Sequence, residues 1–151
     1  MNPRPVFFKK IDAHHKPIGG FSLHMRKQIV ATASDDCTWK VWNMETGENI
    51  MTGEGHKEWI CAIDFHPLGS HLVTAGGDRS LKIWDFVNST IAHTFEAAHT
   101  QPVWKAKFHD SGDFVVSAGG DGAIKLYDLN SLKVRQQYRS HTDAVNGLNF
   151  Q

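Results

Sequence analysis

Three side chains in the last third of the sequence have the residue types of a hydrolytic triad. His99, Ser117 and Asp121 could supply the base, the nucleophile and the orienting carboxylate of acyl transfer. The same spacing occurs twice earlier in the chain, where Thr32 and Thr74 take the place of the serine. Because a set that recurs in this way is typical of structure rather than of catalysis, we predict that the chain is not an enzyme.

Each of these sets has a fourth member, an aromatic residue six positions after the aspartate. A buried indole or phenol donor, a hydroxyl and an imidazole each need a hydrogen-bond partner, and a carboxylate can anchor the imidazole while it accepts amides of its own turn. We therefore interpret the residues as structural tetrads. The three tetrads are His14-Thr32-Asp36-Trp42, His56-Thr74-Asp78-Trp84 and His99-Ser117-Asp121-Tyr127.

Histidines are abundant enough, at 10, to suggest a metal site. His24, His66 and His109 each follow a tetrad histidine by ten residues, so they occupy equivalent places in separate units, too far apart to share one ion. The paired glycines Gly76-Gly77 and Gly119-Gly120 neither open a helix nor precede a lysine at phosphate-loop spacing, and we expect them in hairpin turns where glycine permits a positive φ. The sequence therefore predicts no metal and no cofactor.

Composition narrows the remaining classes of function. The 151 residues include 16 Lys and Arg and 16 Asp and Glu, so no net positive field favours nucleic acid or an anionic membrane. No stretch approaches the roughly 18 consecutive apolar residues of a membrane helix, and the first ten residues lack the apolar centre of a signal peptide. We expect a cytoplasmic protein whose partners are neither nucleic acid nor membrane.

The tetrads recur every 42 or 43 residues, and each period contains four short extended segments separated by turn residues. No apolar stripe at helical spacing lasts for the length of a helix, so the predicted fold is all-β. Four short strands cannot bury both faces of a small sheet, so the units must stack on one another. The predicted strands are 18–24, 29–34, 38–43 and 49–53, then 59–66, 71–75, 80–85 and 90–96, then 102–109, 114–118, 123–128 and 134–139.

The Trp84-Asp85 pair that closes a third strand, the histidine that begins each unit and the aspartate of the second turn resemble the WD40-repeat β-propeller family. The resemblance spans essentially the whole chain, although Asn43 replaces the closing aspartate of the first unit and Tyr127 replaces a tryptophan. In that family, each tetrad is a hydrogen-bonded chain from the indole through the hydroxyl and imidazole to the carboxylate.

The family resemblance also implies how the chain is organised. It implies a WD40-type β-propeller segment over 1–151, with three complete four-stranded blades and partial flanking strands in an incomplete ring, since such rings close with about four to eight blades. The implied units are an outer strand of a preceding blade at 6–11, repeats at 14–53, 56–96 and 99–139, and the start of a fourth repeat at 141–151.

A propeller of this kind works by presenting its loops to other proteins. The residues that follow each tetrad histidine should lie near one rim, where the chain enters the innermost strand. Trp59 is either a binding anchor there or packing against the adjacent blade, and Trp104, further along its strand, is predicted to lie in the core. The predicted partner-binding rim consists of Lys16, Asp35, Glu58, Trp59, Gln101 and Asp143.

Three segments resemble a narrower group. Residues 29–36 (IVATASDD), 39–42 (WKVW) and 50–56 (IMTGEGH) are similar to the opening repeats of the sperm-associated antigen 16 family, WD-repeat proteins of the central apparatus of the ciliary axoneme. This resemblance covers repeat 1 and the beginning of repeat 2. It implies a non-enzymatic scaffold for cilium or flagellum motility and assembly, located on the cytoskeleton, with axonemal or microtubule-associated proteins as partners.

Two other classes stay open. Many WD proteins are substrate receptors of cullin ubiquitin ligases, but their docking pattern has an arginine two residues beyond the Trp-Asp pair, where this chain has Val87 and Asn130. A generic signalling or vesicle-coat scaffold is the other alternative. The unpaired faces of the terminal blades also predict self-association through the open propeller edges, unless further sequence covers them.

Overall fold

A computed structural model describes residues 10–139, and these residues form twelve β-strands and no helix. Each strand is a short run rich in β-branched, aromatic and small residues between turns of Gly, Asp, Asn and Ser, which favours extended backbone. No helix in this part of the chain could cross a membrane. The strands are β1 (Ile18–Leu23), β2 (Ile29–Ser34), β3 (Trp39–Asn43), β4 (Asn49–Gly53), β5 (Ile60–Phe65), β6 (His71–Gly76), β7 (Leu81–Asp85), β8 (Thr90–Phe95), β9 (Val103–Phe108), β10 (Phe114–Gly119), β11 (Ile124–Asp128) and β12 (Lys133–Tyr138).

Four consecutive strands form each of three antiparallel sheets, which we call blades 1, 2 and 3. Blade 1 contains β1–β4, blade 2 contains β5–β8 and blade 3 contains β9–β12, each in sequential order. The prediction of an all-β fold with three four-stranded blades is confirmed, and the described residues form no closed ring. The strand ends differ from the predicted ones by at most one residue.

Alternation along the strands gives each blade two apolar faces, one toward each neighbour. The inner strands β1, β5 and β9 lie side by side, and the second strand of each blade packs on the inner strand of the next blade. Ile29 and Val41 of blade 1 share one core with Ile60 and Leu72 of blade 2. The Trp39 and Trp84 rings also meet there edge to face, with their centroids 5.1 Å apart. Between blades 2 and 3, the Phe95 and Tyr127 rings make a corresponding contact, with centroids 4.6 Å apart.

The face of blade 1 that points away from blade 2 carries the residues equivalent to those that blade 2 buries against blade 1. Ile60, Ile63 and Phe65 of blade 2 are 0%, 7% and 5% exposed. One period earlier, Ile18, Phe21 and Leu23 are 49%, 67% and 55% exposed. Among the described residues, blade 1 therefore exposes an apolar surface whose equivalent in blade 2 is buried against the preceding blade.

Some predicted features fall outside the described residues. The start of a fourth repeat at 141–151 lies there, as does Asp143 of the predicted rim. Of the predicted outer strand at 6–11, Lys10 and Ile11 are described, and neither lies in a strand.

Candidate interaction rim and the tetrads beneath it

In blade 2 the tetrad is a continuous chain of hydrogen bonds. The Trp84 Nε1–H donates to Thr74 Oγ1 at 2.7 Å, the Thr74 hydroxyl donates to His56 Nε2 at 2.6 Å, and His56 Nδ1–H donates to Asp78 Oδ2 at 2.7 Å. The Asp78 carboxylate can only accept, so His56 donates from Nδ1, and its Nε2 is then the acceptor to which the Thr74 hydroxyl donates. This direction selects the His56 tautomer that carries its proton on Nδ1.

Blade 1 has the same arrangement. His14 Nε2 lies 2.8 Å from Thr32 Oγ1, and His14 Nδ1 lies 2.8 Å from Asp36 Oδ2. The Trp42 indole donates to the same threonine hydroxyl at 3.0 Å. Blades 1 and 2 thus satisfy every polar group of their tetrads in one way.

Blade 3 departs at its aromatic member. His99 Nε2 lies 2.7 Å from Ser117 Oγ, and its Nδ1 lies 3.0 Å from Asp121 Oδ1. The Tyr127 hydroxyl donates to the carbonyl oxygen of Ala98 at 3.3 Å. Burial raises the pKa of this phenol to about 12, so it acts as a donor throughout the neutral range.

The tetrad carboxylates are charged anchors for their turns. Burial by itself would raise the pKa of Asp78, but hydrogen bonds from His56 and from the amide and hydroxyl of Ser80 outweigh it and hold that pKa well below its ordinary value. Asp121 is held at a pKa of about 2, because amides of its turn and of Thr100 oppose burial in the same way. Each aspartate therefore ties a turn to a tetrad histidine at neutral pH.

The His99, Ser117 and Asp121 side chains have the mutual distances of a catalytic triad, but they have no access to a substrate. Ser117 is 0% exposed and His99 is 1% exposed. Burial also lowers the pKa of His99, against the raising effect of Asp121. A nucleophile must reach a carbonyl carbon, so this arrangement can hold the blade together and cannot carry out acyl transfer as it stands.

The turn after the second strand is tied to the chain just before the inner strand in each blade. The amide of Asp35 donates to the carbonyl oxygen of Pro17 at 3.0 Å, and Gly77 and Gly120 make the equivalent bonds, both at 2.8 Å, to Trp59 and Pro102. These bonds bring together two loops that are far apart in the sequence. Both loops of each blade therefore form one end of the molecule.

The paired glycines of these turns are needed for space. A Cβ added to Gly76 would lie 2.0 Å from the carbonyl oxygen of Trp59, and one added to Gly77 would lie 2.6 Å from the Trp59 ring. The expectation that these two glycines provide a positive φ is wrong. Positive φ falls instead one residue after each tetrad aspartate, at Cys37 (72°), Arg79 (65°) and Gly122 (77°).

The described members of the predicted rim lie at this end of the blades. Lys16 and Asp35 in blade 1, Glu58 in blade 2 and Gln101 in blade 3 are all exposed. Glu58 and Lys16 both act electrostatically on Cys37, which places them around the turn of blade 1. The structure therefore collects charges of both signs on one surface, which we call the rim.

Two tryptophans stack where blades 2 and 3 meet the rim. The rings of Trp59 and Trp104 lie 5.2 Å apart at 30°, and both side chains are half-buried. The prediction that Trp104 belongs to the core is wrong, because it lies near the rim beside Trp59 and Gly120. Trp59 packs against the next blade and keeps part of its surface exposed, so both expected roles are compatible with its position.

The histidines at the ends of the inner strands join neighbouring blades. His66 Nδ1 accepts the Leu68 amide at 3.1 Å, and its Nε2–H donates to the carbonyl oxygen of Gly112 in blade 3 at 3.1 Å. His24 lies against Gly69 of blade 2 in the same way. Within residues 10–139, no three His, Cys, Asp or Glu side chains come together where they could hold a metal ion.

Asp64 links all three inner strands, a role that the sequence did not suggest. Its Oδ1 accepts the Ser22 hydroxyl of blade 1 at 3.2 Å, and its Oδ2 accepts the Phe108 amide of blade 3 at 3.0 Å. Burial raises the pKa of this carboxyl, although these donors and Lys107 oppose the rise. The equivalent positions are Ser22 and Lys107, so no repeated residue type marked it.

A lysine beside each tetrad is a second feature that sequence interpretation missed. Lys40, Lys82 and Lys125 follow the 42- or 43-residue spacing, which was the available signal. Lys82 is 8% exposed and its Nζ donates to Thr94 Oγ1 at 3.3 Å, whereas Lys125 Nζ donates to the Ala98 carbonyl oxygen at 2.5 Å. In blade 1, Lys40 lies 5.8 Å from the Trp42 ring centre.

Comparison with known proteins agrees with this geometry. A family profile described as "WD domain, G-beta repeat" matches residues 6–43, 47–85 and 89–128. The chain is 31% identical over 79 residues to Lissencephaly-1 homolog 1 of Paramecium tetraurelia, which is 52% of this chain and 20% of that protein.

Two further relatives match over shorter stretches. The chain is 45% identical over 58 residues to nuclear distribution protein nudF 1 of Talaromyces marneffei, or 38% of this chain and 12% of that protein. It is 48% identical over 50 residues to flagellar WD repeat-containing protein Pf20 of Chlamydomonas reinhardtii, or 33% of this chain and 8% of that protein. The matched stretches therefore span about a fifth or less of each of the three relatives.

Three equivalent blades, three tetrads and a family profile that covers more than half of the residues lead to one assignment. Proteins of this family are generally non-catalytic scaffolds for protein interactions. The chain belongs to the WD-repeat family of β-propeller proteins.

Proposed function

We propose that the chain is a non-enzymatic scaffold that binds partner proteins at its rim. The observation that carries this proposal is the cluster of Lys16, Asp35, Glu58 and Gln101, exposed side chains on loops that backbone hydrogen bonds fasten to the blades. Fastened loops lose little entropy when a partner binds, so their side chains can contribute more to affinity. The tetrad residues beneath these loops hold the turns in place through their hydrogen bonds.

The Trp59 and Trp104 pair provides an apolar centre for this surface. Large aromatic side chains surrounded by polar ones are typical of the residues that dominate binding energy in protein interfaces. The mixed charges around the pair favour a protein partner over a nucleic acid or a lipid surface, which would need one dominant positive sign.

We propose further that the scaffold works in the axoneme of a cilium or flagellum, as part of the central apparatus. The similarity of repeat 1 to the sperm-associated antigen 16 family supports this, as does 48% identity over 50 residues to a flagellar WD-repeat protein. Its partners would be axonemal or microtubule-associated proteins. The relatives named for nuclear distribution and lissencephaly point to other roles within the same family.

Proximity labelling in a ciliated cell tests the location. A tagged chain should label axonemal proteins and be found along the axoneme. Labelling of cullin adaptors without axonemal proteins would contradict the proposal and favour the ubiquitin-ligase alternative. Labelling of coat or signalling proteins alone would contradict it too.

Charge reversal tests the rim. The double variant Asp35→Lys with Glu58→Lys should reduce capture of labelled partners about tenfold, because two favourable charges at the surface become repulsive. The matched control is Glu45→Lys with Glu48→Lys, two exposed residues in the turn between β3 and β4 at the other end of blade 1. Equal loss in both variants would contradict binding at the rim.

A further inference from the structure

A cleft of about 220 Å³ lies between blades 2 and 3, away from the rim. Its lining combines apolar side chains with imidazoles from the inner hairpin turn and the second and fourth strands. The residues that matter here are His71, His93, Ile83, Phe108, Leu129 and Leu132. The rim proposal uses none of them.

The junction between blades 1 and 2 shows what ordinarily fills this position. There, one period earlier, Ile29 stands for His71, Met51 for His93 and Phe86 for Leu129. Ile29 is buried, and Met51 and Phe86 pack against the shared core. The Phe86 ring meets the Phe65 ring at 5.6 Å and 86°.

The second junction therefore lacks an aromatic ring and has imidazoles in place of two apolar side chains. The other wall is unchanged, since Phe108 stands for Phe65 and meets His66 at 5.1 Å and 71°, as Phe65 meets His24 at 5.1 Å and 70°. The differences between the junctions are concentrated in the lining of the cleft. The cleft of about 220 Å³ therefore has an apolar wall and polar edges.

The imidazoles around the cleft differ in how many of their ring nitrogens already have a hydrogen bond within the described residues. His66 is fully used by the Leu68 amide and the Gly112 carbonyl. His71 Nδ1 lies 2.8 Å from the Ser70 hydroxyl, which leaves its Nε2 without a hydrogen bond in the described chain. His93 contacts the Phe95 ring and has no hydrogen bond to any described residue. The cleft thus offers imidazole nitrogens that can pair with a ligand.

The charges near the cleft limit the ligand to a neutral one. Asp113 acts on His66 and Asp85 acts on His71, so a bound anion would meet two carboxylates. Neither carboxylate lines the cleft, so a cation would lose its water at the apolar wall without a carboxylate in contact to replace that water. A neutral aromatic ring with a hydroxyl group fits both the wall and the imidazoles, because the hydroxyl can donate and accept.

From this we propose that the cleft between blades 2 and 3 is a binding site for a single phenolic ring. The ring lies against Ile83, Phe108 and Leu129, beside the position that Phe86 fills in the other junction, and its hydroxyl pairs with His93. An apolar cavity of about 150 Å³ is known to take benzene, so the cleft is large enough for one substituted ring. The site is independent of the rim and of the scaffold role.

Binding of p-cresol to the whole chain tests the proposal by nuclear magnetic resonance. We expect saturable shifts of the His71 and His93 ring protons and smaller shifts of His14. Its methyl ether, 4-methylanisole, cannot donate a hydrogen bond and should bind about tenfold more weakly. Absence of saturable shifts, or equal affinity for the two compounds, would overturn the proposal.

Refilling the cleft provides a matched variant. The double variant His93→Met with Leu129→Phe restores two of the three side chains that differ from the first junction, and it should abolish p-cresol binding while it raises the melting temperature. Retained binding would overturn the site. If the filled variant does not fold, His93→Ala is the alternative: it should remove the preference for p-cresol over 4-methylanisole, and an unchanged preference would overturn the pairing with His93.

N-acetyl-tyrosinamide distinguishes the two sources of such a ring. Binding comparable to that of p-cresol would assign the cleft to a tyrosine side chain of a protein partner. Exclusion of this larger probe, with p-cresol still bound, would assign it to a free small phenol.

Discussion

The imidazole of His66 in blade 2 donates a hydrogen bond to the carbonyl oxygen of Gly112 in blade 3, with 3.1 Å between the two atoms. A Cβ added to Gly112 would lie 2.4 Å from the same ring nitrogen, and the glycine has a φ of +80°. His24 of blade 1 and His66 of blade 2 thus each fit against a glycine turn of the next blade. Both the contact and the backbone conformation depend on the absence of a side chain there.

Replacement of that glycine should weaken the junction between blades 2 and 3. We expect Gly112→Ala to lower the free energy of unfolding by about 2 kcal/mol, because it combines a left-handed backbone with a clash. Urea unfolding measures the change. In a double-mutant cycle with His66→Ala, part of the loss should disappear, since the clash is removed while the backbone strain stays. Strict additivity would show that the ring and the glycine do not interact.

Stability should fall as the pH drops from about 7 to about 5. Burial lowers the pKa values of His24, His66 and His99 below the ordinary 6.5, so the unfolded chain binds protons in this range more readily than the folded one. Their contribution is therefore complete above 6.5 and is lost as the pH falls through the folded values. Unfolding midpoints at a series of pH values measure the trend.

The carboxyl groups should contribute little to that trend. Asp36, Asp78 and Asp121 have lowered pKa values, so their contribution is lost only below the ordinary 3.8. The raised pKa of Asp64 works in the opposite sense at the acidic end of the range. A His66→Asn variant should show a shallower pH dependence, and a slope equal to that of the unchanged chain would contradict the role given to His66.

Removal of one tetrad hydroxyl should cost more in blade 2 than in blade 3. Thr74→Val deprives both the Trp84 indole and His56 of a partner, and we expect a loss of about 3 kcal/mol in the free energy of unfolding. Ser117→Ala leaves only His99 Nε2 without a partner and removes a hydroxyl that also acts on Tyr127, which keeps the Ala98 carbonyl, so about 1 kcal/mol is expected.

The same two variants separate the structural interpretation from hydrolysis. Thermal unfolding compares their stability, and hydrolysis of a model ester compares their activity with that of the unchanged chain. We expect no hydrolysis above background in any of the three. An esterase activity that disappears in Ser117→Ala alone would contradict a purely structural tetrad.

The uncovered face of blade 1 should cause the chain to associate. Phe21 and Leu23 are exposed where their equivalents in blade 2 are buried, so concentration-dependent association is expected in sedimentation experiments. Phe21→Glu should reduce it strongly. Val87→Glu, at a 78% exposed position in the turn between β7 and β8, is the matched control and should have little effect. A chain that is monodisperse at every concentration would contradict this prediction.

The sequence was sufficient for the fold and for the histidine, hydroxyl and aspartate partners within each tetrad. Residue types at a fixed spacing, such as His56 with Asp78, identify both the unit and its internal pairs, because every unit solves the same local problem. The exposed position of Glu58 followed from the same register. Spacing could not identify the Ala98 carbonyl oxygen as the acceptor of the Tyr127 hydroxyl, since a phenol reaches a different acceptor from an indole.

Features that depend on two different units were beyond sequence interpretation. Asp64 links three strands, but the residues at its equivalent positions, Ser22 and Lys107, have unrelated chemistry. The cleft arises because the second junction has Leu129 where the first junction has Phe86. Trp104 was expected in the core because it lies two residues further along its strand, whereas it stacks on Trp59 near the rim. The surroundings of such residues depend on which face of a blade meets its neighbour, and that is decided only when the blades are assembled.

The two faces of blade 1 differ: one packs against blade 2, and the other carries Ile18, Phe21 and Leu23. The contact between blades is therefore heterologous, that is, it joins two different surfaces. Repetition of a heterologous contact applies the same rotation each time, and the series ends when the rotations complete a full circle. We infer that the edge-to-face contact of the Trp39 and Trp84 rings helps to set that angle at the first junction. The size of two side chains in a junction thus acts on a property of the whole ring, the number of blades with which it closes.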